Sequence, residues 1–565
     1  MPVNMKNVPC CLIQEMGAKT LWASLSILRI AWCLLPQTGY LHPDEFFQSP
    51  EVMAGDILDL DINRPWEFLP TFPCRTVVTP LLTSGAAFWI IKLLHQLDFK
   101  VTSACGYVLL VLPRLLITLL SFILDYTVFH IAPAWGSNRW NAMILLAGSY
   151  VTLVFYTRTI SNAMEGIFLS VILLLTSPEK IHKAKSHHFI GIILAAGIFN
   201  RPTFAAFALV PVLFWAGKTK DCCFSYQSFV TNVLKLLPSS FSTSIIFISA
   251  DTLWYKGWLT FTTQSFMDQI FQKTVLTPLN FLKYNLNPDN LAQHGTHPPI
   301  THVVVNAVVL FGILHVSVVF IFLKMLKRFI MKLFPKSQCN NNQNKEGIPQ
   351  HTSLLFLIYF VPLILLSLVG HQEPRFLIPL LLPVVLLYST CYRTGKMTCA
   401  IALFNIIGAL FFGFLHQGGL IPSLFHIQQI VQSKPTPGES LNHHTILFTH
   451  TYMPPKHLLC LNRGQTHTDV VDLAGFDESQ LCQKIIEIKK DISRENVLPN
   501  KKNRHHFLII FPGTIAEVVE NCGLVFTGEV VFAPHLSMED PPTLLQLLGG
   551  NIKKYLGLHV REIDV

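Results

Sequence analysis

Apolar runs recur along this chain from residue 21 to residue 415, broken only by short polar loops, and that pattern excludes most soluble folds. Ordinary globular domains carry roughly 25% charged residues. Here 13% are charged and 51% hydrophobic, with a mean hydropathy of +0.45. Residues 1–415 therefore read as an all-α polytopic membrane protein, because a backbone that crosses lipid must satisfy its own hydrogen bonds. The candidate spans are 21–36, 83–97, 106–130, 142–157, 160–176, 189–199, 204–216, 233–250, 303–325, 354–369, 376–389 and 399–415. Several fall short of the ~20 residues a crossing takes, which suits half-buried or re-entrant segments, and the expected total is roughly 11–13 transmembrane segments. The first run follows Lys6 and Lys19 and precedes no small-residue cleavage site, so it reads as a retained first span or signal anchor.

Charge sets the orientation. The +9 net charge lies in short runs between apolar segments: Lys180, Lys183 and Lys185; Lys324, Lys327, Arg328, Lys332 and Lys336; Arg393 and Lys396. This is a topology pattern, so these loops read as cytosolic and no nucleic-acid partner is expected. Loop 41–80 instead holds Asp44, Glu45, Glu51, Asp56, Asp59, Asp61 and Glu67 against Arg64 and Arg75, and reads as lumenal. Alternation from the Lys180 loop onward places 200–203, 251–302, 370–375 and everything after His416 on that same side. Between 80 and 177 it fails, because four runs lie where an odd number is required.

Residues 416–565 change character, with short β-like runs at 444–449, 507–511 and 524–532 among polar turns. They read as a small α/β C-terminal lumenal domain behind the 1–415 membrane domain. Of the 13 cysteines, Cys460, Cys482 and Cys522 fall there, and an oxidising lumen would let two of them pair. No Cys/His spacing resembles a zinc site, so no metal is expected.

Four loops on the expected lumenal side carry polar residues that composition alone would not place there. The first gives the acid pair Asp44 and Glu45, then Trp66, Glu67 and Arg75; the second gives Asp251, Tyr255, Tyr284, Asn285, His294 and His297. The third supplies His371, Glu373 and Arg375, and the fourth Arg201. A carboxylate base, cations for an anionic leaving group and aromatics for a sugar are what glycosyl transfer from a lipid phosphate needs. Arg375, His371 and Arg201 are the candidates for the donor phosphate. Trp66, Glu67, Arg75, Asp251, Tyr255, Tyr284, Asn285, His294, His297 and Glu373 are candidates for acceptor or sugar contacts. A leaving group with a single phosphate calls for no metal or other cofactor, and Asp59-Leu60-Asp61 has the spelling of a nucleotide-sugar motif without a Rossmann-like context.

Each residue also has a plainer reading. Asp44 would cap a helix beginning near Phe46, Glu45 would make a structural hydrogen bond, and Arg375 would snorkel from the span starting at Phe376. His371 and His297 would be merely hydrogen-bonded, and Arg201 would pair with a buried acid such as Glu165. Arg29 and Arg114, inside apolar runs, read as packing or interfacial charges.

The segments His42-Pro43-Asp44-Glu45-Phe46-Phe47-Gln48, Arg158-Thr159-Ile160-Ser161-Asn162, Asn200-Arg201-Pro202-Thr203, His294-Gly295-Thr296-His297-Pro298 and His371-Gln372-Glu373-Pro374-Arg375-Phe376 resemble glycosyltransferase family 22. That resemblance implies the GT-C fold, an endoplasmic-reticulum membrane location and dolichyl-phosphate mannose as donor substrate. It also implies an inverting displacement in which Asp44 is the catalytic base and Glu45 a helper. Within the family, stretches 42–56, 64–68, 74–78, 284–297 and 447–455 look most like members that add a fourth, α1,2-linked mannose to the third mannose of the GPI-precursor glycolipid. One departure is Pro299-Ile300-Thr301-His302, where close relatives acting on the third GPI mannose tend to be aromatic, and it favours another acceptor. The alternatives are a family transferase acting on another GPI position or on the lipid-linked N-glycan precursor, and a non-catalytic lipid or sugar transporter on a related scaffold.

Overall fold

The computed structural model describes residues 8–97, 105–177, 186–218, 224–257, 273–293, 295–333, 350–391, 397–433, 443–464, 467–496, 505–549 and 551–565. His294 and the basic residues Lys180, Lys183, Lys185, Lys336, Arg393 and Lys396 lie outside them. The described chain is mostly helical with one small sheet. It forms two compact units, each discontinuous in sequence: residues 1–31, 66–79 and 117–406, and residues 32–65, 80–116 and 407–565.

Among the described residues, four helices are long and apolar enough to cross a bilayer: Val78–Gln96, Gly106–Ile131, Tyr226–Lys256 and Thr398–Leu415. Shorter apolar helices include Ser161–Leu175, Ser186–Asn200 and Phe204–Gly217, as the short runs in the sequence led one to expect. The run 303–325 is not one helix. Gly312, at φ +50, separates Ala307–Phe311 from Ile313–Leu333, a backbone conformation that favours glycine. Run 142–157 also divides, into Arg139–Ala147 and the π turn Val151–Phe155, inside the stretch where the alternation of loops failed. Further π turns at Leu81–Gly85, His302–Asn306 and Phe411–Leu415 adjoin the polar loops, a placement such turns favour near functional sites.

In the first unit, helix Tyr226–Lys256 packs along Ser186–Asn200, where Ala196, Phe199 and Phe247 form a small core. Arg29 is fully buried and meets Asp125 at 2.7 Å, and the Trp22 indole N–H donates to the same carboxylate at 2.9 Å. The reading of Arg29 as a packing or interfacial charge is thus corrected: a buried guanidinium must be paired.

The second unit contains a five-stranded sheet of β1 (His443–Phe448), β2 (Thr468–Asp472), β3 (His505–Pro512), β4 (Phe526–Phe532) and β5 (Leu558–Ile563), in the order β2-β1-β3-β5-β4. β1 runs parallel to β2 and β3, and β5 is antiparallel to β3 and β4. Helix Glu478–Asn496 lays Leu481, Ile485 and Ile492 on Phe507, Ile509 and Phe511. Helix Leu420–Val431 packs against β4 and β5. Cys482 and Cys522 form a disulfide across 40 residues, and Cys460 is disulfide-bonded too, so its partner lies outside 416–565.

Candidate active site

The acid motif belongs to the second unit. Helix Asp44–Phe47 has Pro43 as its N-cap, so it starts at Asp44 rather than near Phe46, and Asp44 is its first residue and not its cap. Successive helical residues point about 100° apart, so an adjacent acid pair cannot share one environment. The side chain of Asp44 keeps 20% of its surface exposed, whereas those of Glu45 and Glu51 keep none. Of these three acids, only Asp44 is reachable from outside the protein. The Gln48 amide, one turn on, donates to Asp44 Oδ2. The Asp44 backbone N–H donates to His42 Nδ1 at 3.1 Å, and the same ring nitrogen lies 3.4 Å from Asp44 Oδ1. Tyr40 stacks edge-on against both Phe46 and Tyr452, which line this segment.

Glu45 turns inward. Its Oε1 accepts from Arg114 Nε at 2.9 Å and Nη2 at 2.6 Å, while Arg114 Nη1 donates to the Gln37 carbonyl at 2.9 Å. Arg114 is therefore the counter-ion of Glu45, which corrects its reading as a packing charge. Glu51 is equally buried and accepts from the Asn63 N–H at 2.9 Å, from the His457 N–H at 3.3 Å and from His457 Nδ1.

The residues around the motif are tied to the C-terminal part of the chain. Gly39 N–H donates to the Gly413 carbonyl at 2.8 Å, and a Cβ at Gly39 would stand 2.3 Å from the Phe412 carbonyl oxygen, so only glycine fits. Tyr40 N–H reaches the His416 carbonyl, Asp61 N–H the Leu461 carbonyl and Arg463 N–H the Asp59 carbonyl, all within 2.9 Å. Lys456 pairs with Asp61.

In the first unit, segment 66–79 docks on helices Tyr226–Lys256 and Thr277–Asn285. Arg75 pairs with Glu67 at 2.9 Å and lies over the Phe281 ring. Tyr255 donates its hydroxyl to the Arg75 carbonyl at 2.8 Å. Asp251 is buried and accepts from Thr76 Oγ1, Val77 N–H and Thr277 Oγ1, each at 2.9 Å. Trp66 stacks on Tyr284 with centroids 4.4 Å apart, while the Asn285 amide turns back to the Phe281 carbonyl of its own helix. Trp66, Glu67, Arg75, Asp251, Tyr255 and Tyr284 are thus brought together, with much of their polar capacity holding the loop in place.

A second cluster of the first unit gathers the three residues nominated for phosphate. The guanidinium groups of Arg201 and Arg375 each lie 5.4 Å from the Phe376 ring centroid, and the His371 ring lies 5.8 Å from it. Glu373 bonds His371 Nε2 at 2.8 Å and also pairs with Arg375. His371 Nδ1 meets the Gly295 carbonyl at 3.2 Å. With an acceptor at each ring nitrogen, first of all the Glu373 carboxylate, His371 is held protonated above the ordinary histidine range, against the opposing effect of burial. Its cations are Arg201, Arg375 and the protonated His371, set against the carboxylate of Glu373 and, beside Arg201, that of Glu165, so positive charge is in excess. His297 joins it, 6.1 Å from the His371 ring, with its Nδ1 accepting from the Gln372 N–H. Arg201 also lies 3.4 Å from the buried Glu165, the pairing its plainer reading anticipated. Asn162 donates to that same Glu165 oxygen, Oε2, at 2.9 Å and Thr203 to the other oxygen, Oε1, at 2.6 Å.

Sequence reasoning missed three residues at the acid motif: Arg114 as a partner of Glu45, Gln48 as a donor to Asp44, and His457 as a partner of Glu51. A signal existed for Arg114, since an arginine inside an apolar run requires an acid.

A family model for the Alg9-like mannosyltransferase family matches residues 20–459. The chain is 44% identical to human GPI alpha-1,2-mannosyltransferase 4 over 98% of its own length and 96% of that protein's. It is 29% identical to the Drosophila melanogaster GPI mannosyltransferase 4, covering 92% and 86%, and 31% identical to that of Saccharomyces cerevisiae, covering 70% of each. No solved structure matches it. With a family match that includes the Asp44–Glu45 pair and both loop clusters, the chain belongs to the Alg9-like mannosyltransferase family.

Proposed function

We propose that this chain is an inverting α1,2-mannosyltransferase that adds the fourth mannose of the GPI precursor to its third mannose, with dolichyl-phosphate mannose as donor. The observation that carries the reading is the similarity to human GPI alpha-1,2-mannosyltransferase 4, which runs along nearly the whole of both chains. Asp44 acts as base, taking the proton of the acceptor 2-hydroxyl as its oxygen attacks the anomeric carbon. The bond from that carbon to the phosphate oxygen breaks, and dolichyl phosphate departs with the electron pair. Attack opposite the leaving group turns a β-linked donor into an α-linked product in one step. Arg375, His371 and Arg201 receive the phosphate charge, and the step itself uses no cofactor.

The scaffold is a GT-C transmembrane domain over 1–415 with a C-terminal domain over 416–565, in the endoplasmic-reticulum membrane with the site on the lumenal face. The Cys482–Cys522 disulfide supports that side, since such bonds persist in oxidising compartments. The test is an assay of purified protein with dolichyl-phosphate mannose and a three-mannose GPI lipid. A product one hexose larger, cleaved back by an α1,2-specific mannosidase, is expected. Transfer to a lipid-linked N-glycan precursor instead would move the chain to its sister reaction, and transfer to neither would favour transport.

His371 gives this reading a pH signature. Its raised pKa means that the imidazolium, and the stability of its bond to Glu373, is fully present below the unfolded value of about 6.5 and is lost as pH rises through the higher folded value. The KM for donor is expected to rise over that upper window, and Glu373→Gln to shift the rise to lower pH. Superimposable KM profiles for the two proteins would separate Glu373 from donor binding.

A further inference from the structure

Outside both loop clusters and the acid motif, one group of side chains in the second unit has no assigned task. His450, Glu478 and Asp540 each place one ligand atom within 4.8 Å of the others. They come from distant parts of the chain: His450 follows β1, Glu478 opens the helix after β2, and Asp540 lies in the loop after β4. No sequence spacing could therefore have announced them. The group stands outside the carboxyl ends of the parallel strands β1 and β2, where open α/β sheets commonly bind ligands.

Two observations point to a cation. The first is His450, only 3% exposed. Its Nδ1 has a contact of 3.3 Å to Thr449 Oγ1, and its Nε2 has no hydrogen-bond partner among the described residues. A buried imidazole with an open nitrogen beside two carboxylates has the chemistry of a metal ligand. The second is uncompensated charge. Asp472 and Glu539 add their carboxylates to the surroundings, and none of Asp472, Glu478, Glu539 and Asp540 forms an ion pair with a described residue.

We propose that His450, Glu478 and Asp540 form a structural site for one divalent transition ion, Mn2+ or Zn2+, that pins the C-terminal sheet region. Bond lengths of roughly 2.0–2.2 Å put the ligand atoms of such a site about 3 to 4.4 Å apart, close to the spacing already present. An imidazole ligand favours these ions over Ca2+, which takes six to eight oxygens.

The full-length protein in detergent, stripped with a chelator and dialysed against Mn2+ or Zn2+, is expected to retain one ion per chain by elemental mass spectrometry. Its thermal midpoint should rise with free metal concentration as binding to the folded state requires. His450→Gln, Asp540→Asn and Glu478→Gln are each expected to weaken binding about tenfold or more. Glu478 is exposed, so its variant tests the site even where the buried His450 variant fails to fold. Wild-type protein that retains neither ion, or Glu478→Gln and Asp540→Asn proteins that bind like wild type, would overturn the proposal.

Discussion

Asp44→Asn is expected to lower kcat for mannose transfer by about 10²–10⁴-fold, the range for loss of a general base, while the protein inserts, folds and binds donor as before. The substitution keeps the shape of the side chain and its ability to accept a bond from Gln48, so it removes basicity and little else. Asp44 keeps contact with solvent, and changes at such positions shift stability by only about 0.5 kcal/mol. The expected pattern is therefore an active-site defect without a folding defect. It is read by comparing kcat, donor KM and thermal midpoint of the two proteins in one detergent. A variant with half of wild-type kcat would remove Asp44 from the base role, and one with normal kcat but raised KM would make it a binding residue.

Which parts of this were legible beforehand follows from the range over which each interaction acts. The breaks inside runs 142–157 and 303–325 and the helix Glu478–Asn496 were not. Most of the apolar helices were, because an apolar run of 15 residues declares itself locally. Strands β1 and β3 were too, since His443–Phe448 and His505–Pro512 each hold uninterrupted apolar residues flanked by polar turns. β2 and β5 were missed. Thr468–Asp472 has aspartates at its second and last positions, and Leu558–Ile563 carries His559, Arg561 and Glu562, so neither has the composition of a buried strand until its neighbours supply partners. Arg561 pairs with Glu529 of β4 and with Glu520, and those contacts carry no local signal.

The same contrast divides the acid motif. Two adjacent carboxylates beside a membrane are visible in any reading, yet what distinguishes them lies far along the chain. Arg114 is 69 residues from Glu45, and His457 is 406 residues from Glu51. The C-terminal residues also take part in the motif's architecture, through the Gly39–Gly413 contact and the bonds from residues 461 and 463. A region that sequence patterning sets apart by its turns and short strands thus helps to hold the loop that carries the proposed base.

Glu45 should behave in the opposite way to Asp44. Removing one partner of a buried ion pair strands the other charge and costs about 3–5 kcal/mol, so Glu45→Met and Arg114→Leu are each expected to unfold this unit at markedly lower temperature and to reduce the amount of protein that survives extraction. Replacing both partners by apolar side chains of similar volume, Glu45→Met with Arg114→Leu, removes both charges at once and is expected to recover most of that stability. Activity need not follow. The pair orients the one-turn helix Asp44–Phe47, and Arg114 also fastens the Gln37 carbonyl ahead of it, so the double variant should be stable yet turn over more slowly than wild type because Asp44 is less firmly aimed. Thermal midpoint and kcat, measured on the four proteins of the cycle, separate the two effects. Stability in the double variant as poor as in either single one would show that the charges themselves are needed, and full kcat would show that the pair supports the fold without positioning the base.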